Sequence, residues 1–250
     1  MLDLLIVGGS PEPSTPSFVH DVAGKSRKVV ACDAGGDACK AAGVAIDAVV
    51  GDLDSCSDEA IAYAKRCGAE FLTYPEDKDA TDLALALDLA RRERADCIGD
   101  ACAIETRQAD PQRFQVGLTC VSGGRLDHML AVLGTLCEST ELAPVIYEDS
   151  YALLVLEAPA LIEFDDLRLT YPLVDELYGP YVGRTISLLS LDGRARVSEN
   201  GMKWDLDHVV LEPLGDLGVS NVVASDHASV EVFGGTCALM LLKDYIHKVR

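Results

Sequence analysis

Acidic side chains follow two apolar, strand-like segments at the points where those segments end. Asp33 comes directly after Val29–Cys32, and Asp52 and Asp54 come just after Ala48–Val50. The carboxyl ends of parallel strands line the ligand crevice of an open α/β sheet, so we expect the three carboxylates to converge. In an extended segment Asp52 and Asp54 project to the same side, about 6.5–7 Å apart. Such oxygen ligands suit Mg²⁺; the alternative is a solvated Asp-x-Asp turn that only caps the next helix.

A second acidic segment surrounds a lysine just before a predicted helix. Lys78 lies among four acids, and Asp79 and Asp82 are spaced i, i+3 at the helix start. Carboxylates near a helix N-terminus are stabilised by the helix dipole, so a capping pair would explain part of the pattern. A cation beside a carboxylate cluster is also what a site for a metal and a phosphate requires. The pattern leaves both interpretations open.

A glycine-rich segment between a predicted strand and a predicted helix is the third candidate. Gly123 and Gly124 allow backbone N–H groups to approach an anion at a helix N-terminus, and Arg125 can bind a phosphate through two hydrogen bonds. The simpler interpretation is a turn in which Arg125 pairs with Asp127, and His128 is expected only to pack or hydrogen-bond locally. The chain contains neither G-x-x-x-x-G-K-[ST] nor G-x-G-x-x-G, so those two phosphate-binding motifs are excluded.

The first 150 residues alternate short apolar segments with helical patterns, which predicts a mostly parallel sheet covered by helices on both faces. The predicted strands are Leu4–Val7, Val29–Cys32, Ala48–Val50, Glu70–Thr73, Leu118–Val121 and Val145–Tyr147. The predicted helices are Asp37–Ala42, Asp58–Cys67, Thr81–Arg94 and Leu126–Cys137. Residues 101–116 show no periodicity and are interpreted as an inserted loop.

The second part of the chain has a different pattern. From Thr185 onward, short alternating segments are separated by turn signals such as Asp192-Gly193 and Asn200-Gly201, which are typical of β-hairpins. Repeated strands of this kind indicate an antiparallel sandwich or barrel. We therefore predict an α/β domain over residues 1–150 and a smaller all-β sandwich domain over 151–250. The segment 161–182 stays ambiguous.

Composition excludes several classes of protein. The chain has 250 residues, 41 acidic and 21 basic side chains, and a formal net charge of -20. Nucleic-acid binding needs a basic face, so no nucleic-acid partner is expected. With 49% hydrophobic residues there is ample material for a core. The longest apolar stretch near the C-terminus, Phe233–Leu242, is about half a membrane span, so no membrane partner is expected.

The cysteines and the first residues suggest a cellular compartment. The nine cysteines are odd in number and contain no C-x-x-C pair, which is typical of reduced core residues and not of a disulfide framework or a zinc site. The segment beginning Met1-Leu2-Asp3 has an early acid and no basic region, so we interpret it as a first strand and not a signal peptide. We expect a cytoplasmic, soluble protein.

Several of these motifs, in their order along the chain, resemble the thiamine pyrophosphokinase family. The four segments of the first part are Asp33-Ala34-Gly35-Gly36, Gly51-Asp52-Leu53-Asp54-Ser55, Lys78-Asp79-Ala80-Thr81-Asp82 and Gly123-Gly124-Arg125-Leu126-Asp127-His128. In the second part, Asn200–Leu206 is similar to the family's G-L-K-W/Y-x-L strand, and Gly218–Asn221 is similar to its S-N motif. The likeness runs from about Val29 to Leu242.

The resemblance implies an enzyme that transfers the terminal diphosphate of ATP to the hydroxyethyl group of thiamine and releases AMP. It implies an α/β domain followed by a β-sandwich, and a homodimer with sites between the two domains and across subunits. The expected Mg²⁺ ligands are Asp52, Asp54 and Asp82, with Asp33 nearby. The residues expected to hold or orient the ATP phosphates are Lys78, Gly123, Gly124, Arg125 and Asp127.

The resemblance also implies the groups that take the proton and bind the vitamin. Asp54 or Asp79 is expected to accept the proton of the thiamine alcohol. Trp204, the single tryptophan, is expected to stack on a thiamine ring, and Ser220 and Asn221 are expected to line the thiamine pocket. Without the resemblance, the simpler interpretation of Trp204 is a core residue of the sandwich.

Two other functions remain open at this stage. One is transfer of diphosphate to another heteroaromatic alcohol, such as a hydroxymethyl pterin. The other is a non-catalytic sensor of a nucleotide or of thiamine. All the acids and both cations of the motif set are present, which weighs against a sensor, since a sensor has no need of the whole set.

Overall fold

Short parallel strands form the centre of the first part of the chain. The computed structural model describes residues 1–74, 81–98 and 114–246. The strands of this part are β1 (Leu4–Val7), β2 (Val29–Cys32), β3 (Ala48–Gly51), β4 (Glu70–Thr73), β5 (Val116–Thr119) and β6 (Val145–Glu148). They lie in the order β6-β5-β1-β2-β3-β4, and all pairs from β5 to β4 are parallel. Every residue of β1, β2, β3, β5 and β6 is buried, whereas the edge strand β4 is partly exposed.

Helices connect these strands in the described part of the chain. They are α1 (Pro16–Ala23), α2 (Gly35–Ala42), α3 (Asp58–Cys67), α4 (Asp82–Ile98) and α5 (Leu126–Cys137). The boundaries of α3 follow from local chemistry, because the Ser57 side chain accepts the Ala60 N–H at its start and Gly68 ends it in the left-handed conformation. The sequence did not predict α1, which begins at a proline and buries Phe18, Val19, Val22 and Ala23.

The second part of the chain consists mainly of antiparallel strands. They are β7 (Tyr151–Glu157), β8 (Ala160–Glu163), β9 (Arg184–Ser190), β10 (Ala195–Asn200), β11 (Leu206–Leu211), β12 (Asn221–Val222), β13 (Ser229–Gly234) and β14 (Thr236–Ile246). They pair in the orders β12-β9-β14-β7 and β11-β10-β13-β8, and all of these pairs are antiparallel. Two short helices, α6 (Leu167–Thr170) and α7 (Pro172–Tyr178), lie in the segment that the sequence left ambiguous.

The described chain divides into two compact units. The first comprises the described residues before 99 together with 114–135 and 146–149, and the second comprises 136–145 and the described residues from 150 onward. Residues 136–145 therefore group with the second unit, although they precede residue 150, the predicted domain boundary. The predicted fold class, a parallel-dominated α/β domain followed by a smaller β domain, is confirmed.

Two further expectations concern the cysteines and membrane-spanning helices. None of the eight cysteines in the described residues forms a disulfide. In the same part of the chain, no helix combines the length and apolarity needed to cross a bilayer.

The ends of β2 and β3 are packed too closely for a side chain on the last residue of β3. Cys32 pairs with Val50 in the parallel register, so Asp33 and Gly51 follow side by side. Gly51 has φ +144°, and a Cβ built on it would lie 1.9 Å from Oδ1 of Asp33. The Asp33 side chain is buried and accepts the Leu53 N–H, so moving its carboxylate aside would break that hydrogen bond. Glycine at position 51 is therefore a condition for placing Asp33 at this edge of the sheet.

Replacing Gly51 by alanine should destabilise the protein more than the same change at a glycine whose Cβ would meet open space. Gly43, which ends α2, also has a positive φ (+66°), but a Cβ at this position would meet open space. Gly43→Ala should cost about 1–2 kcal/mol for the left-handed backbone alone, and Gly51→Ala at least about 3 kcal/mol because strain and clash add. Urea unfolding followed by circular dichroism measures both. Equal costs would contradict the close packing.

Candidate active site

Three carboxylates meet at the carboxyl ends of β2 and β3. Within the described residues, Asp33, Asp52 and Asp54 each offer an oxygen, and these oxygens all lie within 4.8 Å of one another. Asp33 is buried, Asp52 is half-buried and Asp54 is exposed. The arrangement follows from the parallel register, which ends both strands at the same edge of the sheet. The cluster thus extends from the buried Asp33 to the solvent-exposed Asp54.

Backbone groups hold this cluster in place. Oδ1 of Asp33 accepts the Leu53 N–H at 3.0 Å, and Oδ1 of Asp52 accepts the Asp54 N–H at 3.2 Å. Asp33 and Leu53 both have positive φ values, +42° and +68°. Non-glycine residues rarely adopt this conformation, and they do so mainly where surrounding contacts fix them. The loop after β3 is therefore wrapped around Asp33.

Asp82, the first residue of α4, joins the cluster through Asp33. Burial, followed by a hydrogen bond with the Asp82 side chain, raises the pKa of Asp33 to about 7. The N–H of Leu53 acts in the opposite direction, and the charges of Asp82 and Asp52 raise this pKa further. Like charges held together disfavour ionisation, and a bound cation reverses that effect. The donor set, carboxylate oxygens from neighbouring strand ends, fits a hard divalent cation such as Mg²⁺.

A buried glutamate organises the loop that follows β5. Glu148, at the end of β6, is 5% exposed. Its Oε1 accepts the N–H groups of Val121 and Ser122 at 3.1 and 3.3 Å and the Ser122 hydroxyl at 3.0 Å. Its Oε2 accepts the Cys120 N–H at 3.3 Å and the Ser14 hydroxyl at 2.5 Å. Burial raises the pKa of Glu148, and these donors oppose that rise. One carboxylate thus shapes the backbone leading into the glycine-rich segment.

Sequence reasoning missed Glu148. The strand before it was predicted to end at Tyr147, and no motif includes the glutamate. The signal that could have found it is the one that found Asp33, namely an acid directly after a continuous apolar strand. Because such acids sit at the ligand-facing edge of a parallel sheet, each is a candidate for a buried structural or functional role.

The glycine-rich segment adopts the conformation that only glycine accepts easily. Gly123 and Gly124 have φ values of +95° and +69°, and the Gly124 N–H donates to Oε2 of Glu12 at 3.2 Å. Arg125 pairs with Asp127 through two hydrogen bonds, Nε to Oδ1 at 3.2 Å and Nη2 to Oδ2 at 2.6 Å. This pairing lowers the pKa of Asp127 to about 2. In this structure the guanidinium is thus oriented by Asp127, as the simpler interpretation expected.

The candidate segments line one cleft of about 260 Å³ in the first unit. Asp33 and Asp82 contribute carboxylates to its wall, Arg125 contributes a guanidinium, and Gly8 and Gly9 contribute backbone from the loop after β1. Carboxylates and a guanidinium facing the same space are the combination that a metal-bound phosphate requires. Lys78 and Asp79, which the sequence assigned to the same site, lie outside the described residues.

The second unit carries the remaining predicted site residues on a surface turn and at the start of β12. The Trp204 side chain is 56% exposed, so it is not a core residue, and Nζ of Lys203 lies 4.6 Å from the centroid of its ring. Ser220 is exposed with φ +59°, and its N–H donates to the Ser187 hydroxyl. Asn221 is buried, and its side chain bonds to the backbone of Trp204. The ligand roles of these residues stay predictions.

Changing Glu148 to glutamine should loosen the loop after β5. The new amide group would face the N–H donors that the carboxylate now accepts, so the free energy of unfolding should fall by about 3 kcal/mol. Hydrogen exchange should accelerate at the Val121 and Ser122 amides. The control is Glu59→Gln at an exposed site on α3, which should stay within about 0.5 kcal/mol of wild type. Unchanged exchange at both amides would refute the role of Glu148.

Two family models match the chain, one for each part of it. The model described as thiamin pyrophosphokinase, catalytic domain, matches residues 19–147. The model described as thiamin pyrophosphokinase, vitamin B1 binding domain, matches residues 174–237. The first match includes the carboxylate cluster and the glycine-rich segment, and the second includes Trp204, Ser220 and Asn221.

Curated relatives are distant and longer. The chain is 24% identical over 186 residues to thiamine pyrophosphokinase 2 of Arabidopsis thaliana, which takes in 74% of this chain and 61% of that protein. It is 22% identical over 181 residues to thiamine pyrophosphokinase 1 of Oryza sativa subsp. japonica, which takes in 72% of this chain and 60% of that protein. The chain thus spans about three fifths of the length of these relatives.

Solved structures share the fold. Thiamine pyrophosphokinase from Bacillus subtilis superposes with a TM-score of 0.73 at 17% identity, covering 97% of this chain and 99% of that chain. Thiamin pyrophosphokinase from Candida albicans gives a TM-score of 0.74 at 14% identity, covering 97% of this chain and 89% of that chain. The first family model alone matches more than half of the sequence, and the chain belongs to the thiamin pyrophosphokinase family.

Proposed function

We propose that the chain is a Mg²⁺-dependent thiamine diphosphokinase, which transfers diphosphate from ATP to the hydroxyethyl group of thiamine and gives thiamine diphosphate and AMP. The observation that carries the proposal is the cleft in which Asp33 and Asp82 face the same space as Arg125, beside the oxygens of Asp52 and Asp54. Carboxylates for a cation and a guanidinium for an anion serve one ligand, a metal-bound polyphosphate.

The carboxylate cluster would hold the metal ion. We assign Asp52, Asp54 and Asp82 as ligands, with Asp33 adjoining them at the buried base of the cluster. When bound, Mg²⁺ neutralises negative charge on the phosphate oxygens as the transition state develops. ATP itself completes such a site, since Mg²⁺ is usually held by one or two carboxylates together with water and substrate phosphates.

Cationic and backbone groups would hold the phosphates of ATP. A chain with net charge -20 repels a triphosphate. Positive groups at the cleft must therefore make the local electrostatic potential positive. Arg125 lines the cleft, and Asp127 fixes the plane of its guanidinium. Lys78 is assigned to the same task by its motif. The Gly124 N–H, which donates to Oε2 of Glu12 in this structure, would donate to a phosphate oxygen at the start of α5 if that oxygen replaced the carboxylate.

The chemical step is attack of the thiamine hydroxyl oxygen on the β-phosphorus of ATP. A new O–P bond forms to the β-phosphorus, the bond from that phosphorus to the oxygen bridging to the α-phosphate breaks, and AMP leaves with that oxygen. The hydroxyl proton passes to an aspartate, for which we propose Asp54 or Asp79. The protein contributes mainly position and electrostatic stabilisation, because phosphoryl-type transfer needs little covalent help.

The exposed indole of Trp204 would bind thiamine. Thiamine is a cation with flat aromatic rings, and a tryptophan face attracts such a ligand by stacking and by cation–π interaction. Lys203 already lies over the ring at 4.6 Å, so the ligand would take the opposite face or displace the lysine. The exposed Ser220 would complete this surface, and the neighbouring Asn221, which is buried, would support it by its hydrogen bonds to the backbone of Trp204. The homodimer implied by the family resemblance and the cytoplasmic location expected from the cysteines remain part of the proposal.

One assay tests the function directly. The purified protein is incubated with ATP, Mg²⁺ and thiamine, and AMP and thiamine diphosphate are quantified. Formation of both products in equal amounts supports the proposal. AMP formation with a hydroxymethyl pterin but not with thiamine would support the other diphosphokinase hypothesis, and binding of thiamine without turnover would support a sensor.

Asp54→Asn should lower turnover strongly without unfolding the chain. The amide removes one charge from the cluster, and loss of electrostatic stabilisation of this kind lowers kcat by about 10²–10³-fold. Asp54 is exposed, so the unfolding midpoint should stay near that of wild type. The matched control is Asp58→Asn, an exposed aspartate in the first turn of α3, which should keep its activity. Near-normal activity of the Asp54 variant would show that the metal assignment is wrong.

Trp204→Ala should weaken thiamine binding more than it slows the chemistry. Loss of one stacking contact is worth about 1–3 kcal/mol, so the KM for thiamine should rise roughly tenfold or more while kcat changes little. Trp204→Phe keeps a ring and should give an intermediate KM. An unchanged KM in the alanine variant would remove Trp204 from the thiamine site.

A further inference from the structure

Every hydrogen-bonding position of the Asn221 side chain is used within the protein. Its Nδ2 donates to Oε2 of Glu199 at 2.5 Å and to the Trp204 carbonyl at 2.7 Å. Its Oδ1 accepts the N–H of Trp204 at 3.2 Å and the N–H of Val222 at 2.9 Å. An amide side chain offers two donor hydrogens and two acceptor lone pairs. Asn221, which is 4% exposed, therefore has no group left for a ligand.

Glu199 determines which way the Asn221 amide points. Glu199 lies in β10 and is completely buried, and its Oε2 accepts from Nδ2 of Asn221. A flipped amide would bring its oxygen against this carboxyl and its NH₂ group against the N–H groups of Trp204 and Val222. All of these contacts would be unfavourable. Glu199 thus selects the amide orientation that binds both backbone groups of Trp204.

The buried carboxyl is costly for the fold, which argues for a specific role. Oε1 of Glu199 has no hydrogen-bond partner within the described residues. Burial raises the pKa of Glu199 to about 7, the Asn221 N–H opposes this rise, and the charge of Asp205 adds to it. An apolar residue of similar size at this position would avoid both costs.

The turn that carries Trp204 is fixed along its length. The Met202 N–H donates to Oδ1 of Asp205 at 2.8 Å, and the Lys203 N–H donates to the Val222 carbonyl at 2.8 Å. Together with the two bonds between Asn221 and Trp204, these contacts attach the turn to β12. The indole is exposed while its backbone is immobilised, and rigid exposed aromatics lose little entropy when they bind a ligand.

We propose that Glu199 is a positioning residue that acts through Asn221 to hold Trp204 as a preorganised aromatic platform. The platform's ligand, a flat cationic heteroaromatic, rests on the proposed function. The assignment of Glu199 does not, because it concerns the protein without ligand. Asn221 accordingly serves the thiamine site through the backbone of Trp204 and not by touching the vitamin.

The single tryptophan of the chain makes the proposal directly measurable. Glu199→Leu keeps similar volume but removes the acceptor, so Trp204 should show lower time-resolved fluorescence anisotropy and about twofold stronger quenching by acrylamide in the ligand-free protein. Glu199→Gln keeps an acceptor oxygen and should restore the wild-type values. Glu163→Gln, at an exposed site on β8, is the control for loss of a glutamate charge. Wild-type anisotropy in a folded Glu199→Leu variant would overturn the proposal.

A double variant tests whether Glu199 acts through Asn221. If it does, Glu199→Leu should add no further loss of anisotropy when Asn221 is already replaced by leucine; additive losses would overturn the proposed route. Should Glu199→Leu fail to fold, Asn221→Asp gives the second test. An ionised aspartate has no hydrogen to donate, so it would lose the hydrogen bonds both to Glu199 and to the Trp204 carbonyl. Hydrogen exchange at the Trp204 amide should then accelerate about tenfold or more, and unchanged exchange would again overturn the proposal.

Kinetics separate this proposal from the proposed function. Glu199→Leu should raise the KM for thiamine about tenfold with kcat nearly unchanged, and Glu199→Gln should reverse most of that rise. If kcat and the unfolding midpoint both fell while KM did not change, Glu199 would have a general structural role, and the positioning role would be overturned. If the wild-type protein does not use thiamine at all, the proposed function fails, while the ligand-free fluorescence and exchange measurements still decide the role of Glu199.

Discussion

The burial and crowding of carboxylates at one edge of a parallel sheet is the constraint on which the candidate site of the first unit depends. The register of β2 and β3 brings Asp33 beside the loop that carries Asp52 and Asp54, and Gly51 makes room for the buried carboxyl. Such a cluster is unfavourable by itself, because burial, a hydrogen bond with Asp82 and the charges of Asp82 and Asp52 together raise the pKa of Asp33 to about 7. Its geometry suits the cation that we propose it binds.

Buried polar side chains position the functional groups in both units. In the first unit, Glu148 accepts hydrogen bonds from successive N–H groups after β5 and so shapes the approach to the glycine-rich segment. In the second unit, Asn221 binds both backbone groups of Trp204 and is itself oriented by Glu199. In each case a buried acid helps to fix the backbone of residues that we propose for the site. Because these two acids are buried, they can fix the geometry of a site without adding charge to the surface that would contact a ligand.

The sequence predicted the elements whose signals are local. The apolar strands and the strong cap at Ser57 placed β2, β3 and α3 correctly, and strand ends identified the carboxylates that the structure brings together. It did not predict α1, because Thr15 makes no side-chain cap to this helix; instead Asp149, 134 residues further along the chain, binds its N–H and hydroxyl. Glu199 was missed for the same reason, since its partner Asn221 is 22 residues away and no short motif contains both.

The most direct test of the central claim is to locate a divalent cation by experiment. Crystals grown with Mn²⁺ and a non-hydrolysable ATP analogue, measured at the manganese absorption edge, would give the metal position without reference to activity. We predict anomalous density in contact with carboxylate oxygens of the Asp52–Asp54 loop and of Asp82, with phosphate oxygens completing the coordination. Manganese bound elsewhere, or a nucleotide held in the cleft with no metal at these acids, would contradict the account.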